Sequence, residues 1–142
     1  MSTELGVVKE QEKVAAILAV DIGGTKLAEA VVDLDGKIIL RDRVPTPARD
    51  PWTTLANLIK RVQASISDVE LLACGVACGG PMTLNGEKVS PLHISAWRDF
   101  ELRSLVAELT ALPTFVDNDA KALALSEGWM GSAAHLQNFM AV

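Results

Sequence analysis

Cysteine, an excess of positive charge and hydrophobic runs of membrane length are all scarce in this sequence, and each shortage removes a class of protein. The two cysteines, Cys74 and Cys78, sit four apart inside an apolar run. On a strand they would share one face at ~13 Å, too far for a disulfide. A zinc site takes about four ligands, and neither His93 nor His135 has ligand-like spacing to them. They read as small buried hydrophobes. The 13 Lys and Arg against 18 Asp and Glu leave a net charge of −5. No basic stripe offers the clustered cations that a nucleic-acid backbone requires, so a nucleic-acid partner is not expected. No stretch approaches the roughly 20 apolar residues of a membrane helix, so no membrane partner is expected either. Residues 1–13 are polar and charged, with no apolar segment behind a basic start. They read as a frayed terminus rather than a signal peptide, and a cytoplasmic location is expected. Internal repeats and low-complexity linkers are missing too. What remains is one domain, 14–142, long enough to bury roughly two-thirds of its unfolded surface.

The informative stretch is Val14 to Lys26, VAAILAVDIGGTK. Continuous apolarity up to Val20 predicts a strand buried on both faces. Asp21 closes it. Gly23 and Gly24 lack a Cβ, so the backbone can turn sharply and present amides to an anion, while Thr25 adds a hydroxyl and Lys26 a cation. The stretch is neither GxxxxGK[ST] nor a GxGxxG that opens a helix. Instead Ala28, Ala30, Val32 and Leu34 alternate with Leu27, Glu29, Val31 and Asp33, which predicts a second, half-buried strand. An ordinary glycine hairpin is the alternative. An acid, a glycine pair, a threonine and a lysine together at the mouth of a buried strand favour binding of nucleotide phosphates.

Asp35-Gly36 predicts a hairpin turn, and Ile38, Leu40 and Val44 mark one side of a third strand, giving three antiparallel strands in succession. Pro45 and Pro47 stop it. Asp50-Pro51 predicts a helix start, and Trp52, Leu55, Leu58, Ile59, Val62 and Ile66 keep helical spacing, with Lys60 and Arg61 off that stripe. Leu71 to Cys78 reads as a buried strand broken by Gly79-Gly80-Pro81, a pair that either admits a ligand or simply ends the strand. Asn85-Gly86 predicts a small β excursion between Met82 and Ser90. Pro91 to Arg98 reads as irregular. Asp99 is expected to cap a helix carrying Leu102, Leu105, Val106 and Leu109. Leu112 to Val116 reads as a short strand running into Asp117-Asn118-Asp119, and an alanine-rich helix follows to about Trp129, closed by Gly131. Two carboxylates and an amide thus occupy one strand-to-helix turn. Ligands of open α/β sheets gather at the carboxyl ends of strands, so Asp119 and the turn at Asp21 are expected to face one crevice. One of the three residues can cap the helix and leave the others free. Asn138 to Val142 reads as the start of another strand.

With the DIGGTK turn and the VDNDA turn in hand, the sequence resembles the ROK family (repressors, open reading frames and sugar kinases), bacterial glucokinase-like members in particular, from about Ile17 to Val142. The resemblance implies the amino-terminal lobe of a ribonuclease H-like, actin-like ATPase fold: a mixed α/β sheet, three antiparallel strands first, helices on both faces. It implies ATP and magnesium as cofactors, with Asp21, Gly23, Gly24, Thr25 and Lys26 handling phosphates and Asp21 reaching magnesium through phosphate or water. It implies a hexose or N-acylhexosamine as substrate, with Gly79 and Gly80 in the sugar-side loop, Asn118 on sugar hydroxyls and Asp119 as general base. In SPLHISAWRDFEL the family commonly has asparagine where His93 stands, which here reads as a solvated loop histidine. The family's second phosphate loop, zinc motif and adenosine pocket correspond to sequence beyond Val142, so this lobe alone is expected to be inactive, with apolar surface that favours a homo-oligomer. A sugar-sensing regulator of the same family and a non-catalytic interaction module are the alternative functions.

Overall fold

Alternating side chains between Val14 and Pro45 build the framework, because a period-two pattern buries one face of each strand. The computed structural model describes residue 6 and residues 9–142. Most of the expected frayed segment therefore lies outside the described residues, and residues 9–13 are exposed, with no helix or strand. Strands β1 (Val14–Ile22), β2 (Lys26–Asp33) and β3 (Ile38–Pro45) form an antiparallel meander. Helix α1 (Pro51–Ala64) then returns the chain to β4 (Val69–Cys78), which lies parallel to β1. Helix α2 (Leu102–Thr110) leads to β5 (Thr114–Asn118), parallel to β4, and helix α3 (Asp119–Met130) follows at once. The sheet order is β3-β2-β1-β4-β5.

Local chemistry explains the joints. Asp33 closes the β2–β3 turn by accepting from the amides of Asp35 (3.0 Å) and Lys37 (2.8 Å), while Gly36 takes the left-handed φ of 84° that the turn requires. Asp50 caps α1, its carboxylate accepting from the Thr53 amide at 3.1 Å with Pro51 in the first turn, as the sequence predicts. The Asn85-Gly86 excursion forms as a single 3-10 turn, held by bridges from Val89 to Met82 and to Phe100.

One core unites α1 and α2 with a single face of the sheet: Leu18, Val20 and Ile22 meet Leu55, Ile59 and Val106. The expectation that β1 is buried on both faces is therefore corrected. Ala16, Leu18, Val20 and Ile22 are buried, but Ala15, Ile17 and Ala19 are half-buried and Asp21 is exposed. On the opposite face Ala19, Ala30, Gly75 and Ala77 floor an open cavity of about 1440 Å³, which α3 only partly overhangs. Strand β2 is divided in the same way. Leu27, Glu29 and Val31 point into the core, and the alanines between them face the cavity. A register shift between Val31 and Val32 carries Ile38 out of phase with Leu40 and Val44, leaving it exposed.

Other expectations shift. Asp99 does not cap α2: its φ is 48°, its amide donates to Ser90 Oγ at 2.8 Å, and Glu101 occupies the cap position without a side-chain bond. The chain is still turning there because Phe100 is bridged to Val89. Strand β4 begins two residues early, at Val69, and β5 runs two residues late, to Asn118, because its pairing with Cys74–Cys78 sets its length. Residues 138–142 form no strand; a strand persists only as a paired element, and no pairing is made there among the described residues. Cys74 and Cys78 are free and buried, as expected.

Gly86 supplies a stability test. Its φ is +63°, and a Cβ there would lie 2.5 Å from Val116 Cβ and 2.7 Å from the Val116 carbonyl oxygen. Gly86→Ala combines a left-handed penalty with a backbone clash against β5. A loss of about 2 kcal/mol or more is expected from the urea midpoint.

Candidate active site

The turn after β1 is built tightly. The Gly23 amide donates to the Lys26 carbonyl at 3.0 Å, closing it on itself. Thr46, directly after β3, straps it from the side: its hydroxyl donates to the Gly23 carbonyl at 2.7 Å and its amide to the Thr25 carbonyl at 3.0 Å. The amides of Gly24 and Thr25 donate to no backbone or side-chain acceptor among the described residues. Two adjacent free amides at an exposed bend are an anion-binding arrangement. Glycine at position 24 is needed for room rather than for φ, since a Cβ would come within 2.6 Å of His93 Cβ.

The strand-to-helix turn at the end of β5 divides its three polar residues by role. Asn118 caps α3, its Oδ1 accepting from the Ala120 amide at 2.9 Å. Asp117 pairs with Lys121 at 3.0 Å and accepts from the Asn118 amide, and those partners hold its carboxyl below the usual range. Asp119 Oδ1 accepts from the Ala120 amide at 2.8 Å. Its Oδ2 is left over and faces Gly79, where a Cβ would stand 4.0 Å away; a Cβ on Gly80 would stand 3.4 Å from Asn118 Nδ2. The missing side chains of this glycine pair thus leave open the space in front of the carboxylate and the amide.

These pieces meet. Gly23, Gly24, Gly79, Gly80, His93 and Asp119 line one groove of about 240 Å³. The first turn and Asp119, nearly a hundred residues apart in sequence, look into a common space. Asp21 and Lys26 do not line that groove but face the larger cavity on the open side of the sheet. Thr25 stays exposed at the tip of the turn. Asp21 is nonetheless close enough to feel Asp119. Partial desolvation by the surrounding turn first, and then the Asp119 charge, push its carboxyl above the ordinary range, with Lys26 acting in the opposite direction. Cys78, beneath both carboxylates, is pushed up to about 12, mainly by burial. No cluster of three or more metal-ligating side chains occurs among the described residues.

Two groups escaped the sequence reading. His93, expected as a solvated loop residue, is exposed but stands against Gly24 as a wall of the groove. Thr46 carried only the signal of a strand stop between two prolines, and its bonds run to residues more than 20 positions away.

A five-stranded mixed sheet with the three-strand meander first, and two turns opening on one groove at its carboxyl-terminal edge, defines a lobe of the actin-like ATPase type. The chain belongs to the ROK family, whose family model matches residues 17–142. Among similar proteins, N-acetylmannosamine kinase of Escherichia fergusonii is 36% identical over 114 residues, covering 78% of this chain and 38% of that protein. The structure of a ROK family glucokinase from Streptomyces griseus in complex with glucose and AMPPNP matches at a TM-score of 0.71 and 32% identity, over 82% of this chain and 37% of that one. The ROK hexokinase of Thermus thermophilus matches at 0.75 and 31%, over 84% of this chain and 40% of that one. The chain thus spans about 38% of the length of the curated relatives it matches.

Proposed function

We propose that the chain is the phosphate- and sugar-facing lobe of an ATP-dependent sugar kinase acting on a hexose or an N-acylhexosamine. The observation that carries this reading is the shared groove between the glycine turn and Asp119. A sugar hydroxyl is a weak nucleophile, so a carboxylate within hydrogen-bond reach accepts its proton as the phosphoryl group moves. Asp119 suits that role: Oδ1 is held by an amide and Oδ2 is free on the groove side. Asn118 uses its oxygen on the helix and keeps Nδ2 as a donor for a sugar hydroxyl. Gly79 and Gly80 let the sugar ring approach the backbone. The amides of Gly24 and Thr25 receive the phosphoryl oxygens, and Lys26 adds positive charge from the open face. Magnesium, when bound with ATP, supplies further charge neutralisation. Asp21, a hard oxygen donor left exposed at the end of β1, would reach such an ion through phosphate or water.

The names of the similar kinases support the substrate range, and free buried thiols suit a cytoplasmic location. No helix of the described residues is long and apolar enough to cross a membrane. Leu125, Trp129 and Met130 are exposed on α3, an apolar surface that supports self-association. Amide NMR tests the assignment on this chain. Titration with glucose or N-acetylmannosamine in the presence of AMPPNP and magnesium should move the resonances of 23–25, 79–80 and 118–120. Shifts confined to the open face of the sheet would remove the groove from the mechanism.

A further inference from the structure

One carboxyl group has no part in the groove chemistry. Glu29, in the middle of β2, is 2% exposed, and neither of its oxygens has a hydrogen-bond partner among the described residues. Its surroundings explain which form it holds. Across the antiparallel pairing it stands directly opposite Asp42 of β3. Side chains in that relation have Cβ atoms about 5 Å apart, and like charges there repel. Asp42 is the one that stays charged, because Arg61 of α1 bonds its Oδ2 at 2.6 Å and the Arg43 amide bonds its Oδ1 at 2.8 Å. From β1 the neighbour is Val20, and from β4 the nearest titratable group is the buried thiol of Cys74. The buried stripe of α1, Leu55 to Val62, contains no ionisable side chain. Among these groups Arg61 is the one cation, and it is bonded to Asp42.

We propose that Glu29 is a proton-operated latch beneath α1: neutral, it lets the helix close over β2 and β3, and on releasing its proton to solvent it competes with Asp42 for Arg61 and loosens the helix. Burial without a partner, and secondarily the Asp42 charge, raise the Glu29 carboxyl from 4.5 to about 8. A raised carboxyl binds its proton more tightly in the folded state, so its stabilising effect is complete below about pH 4.5 and is lost as pH rises through about 8.

Three measurements on the intact chain decide it. The Glu29 side-chain carbon, followed by NMR, should titrate near pH 8; a midpoint in the ordinary carboxylate range would overturn the proposal. The unfolding equilibrium constant in urea should rise by roughly a thousandfold between pH 5 and pH 9. Glu29→Gln, which keeps the shape without the charge, should flatten that rise to within a few-fold, and an unchanged rise in the variant would remove Glu29 from the effect. Above pH 8, amide exchange in α1, corrected for the intrinsic pH dependence, should speed up relative to α2. Uniform acceleration of both helices would show general destabilisation and no latch.

Discussion

An Asp119→Asn variant is expected to fold normally, bind sugar and lose phosphoryl transfer by about a hundredfold or more in the catalytically competent polypeptide that carries this lobe. The magnitude is that of a general base positioned on the transferred proton. The fold is spared for a specific reason. The Ala120 amide has two acceptors, Asn118 Oδ1 at 2.9 Å and Asp119 Oδ1 at 2.8 Å, so α3 keeps its cap and the asparagine oxygen can take the place of Oδ1. What disappears is the second oxygen, the one facing Gly79. The loss should fall on kcat and leave the KM for sugar nearly unchanged, because an amide still hydrogen-bonds a hydroxyl but cannot accept its proton. Initial rates of ADP release read this directly. A near-normal rate would assign the base elsewhere, with Asp21 as the next carboxylate to test, since it senses the Asp119 charge.

The second large effect is structural. Trp97→Ala should destabilise the chain by about 3–5 kcal/mol, the usual range for emptying a buried aromatic site. Trp97 is 2% exposed and stacks on Phe100 with ring centroids 4.4 Å apart; Phe100 in turn tilts against Trp52 at 5.9 Å. This aromatic row joins the irregular segment 91–100 to the first turn of α1, and the same segment carries His93 against Gly24. Its loss should therefore also weaken sugar binding. Trp129→Ala serves as the control. That side chain is 59% exposed, and its removal should change the unfolding free energy in urea by less than about 1 kcal/mol.

The sequence reading was accurate where a residue's role depends on its immediate neighbours. The three-strand meander follows from alternation, the α1 start from Asp50-Pro51, and the β2–β3 turn from Asp35-Gly36. It failed where two distant segments decide the outcome. Asp99 looks like a helix cap until Ser90 takes its amide and Phe100 is bridged to Val89. The alternation of β2 does not say which face is inner until α1 packs on the side of Leu27, Glu29 and Val31. Trp97, in a stretch with no periodicity, gives no local sign that it is buried.

By itself the chain determined most of its helices and strands, the residue types at its two turns and the family they resemble, because hydrogen-bonding habit, side-chain period and glycine placement act over a few residues. Tertiary structure alone decided that His93 walls the groove, that Asp21 and Lys26 turn to the other face, and that Glu29 lies buried without a partner. Those facts depend on which face of a sheet a helix covers and on the register of strands far apart in sequence, and no short-range pattern encodes either.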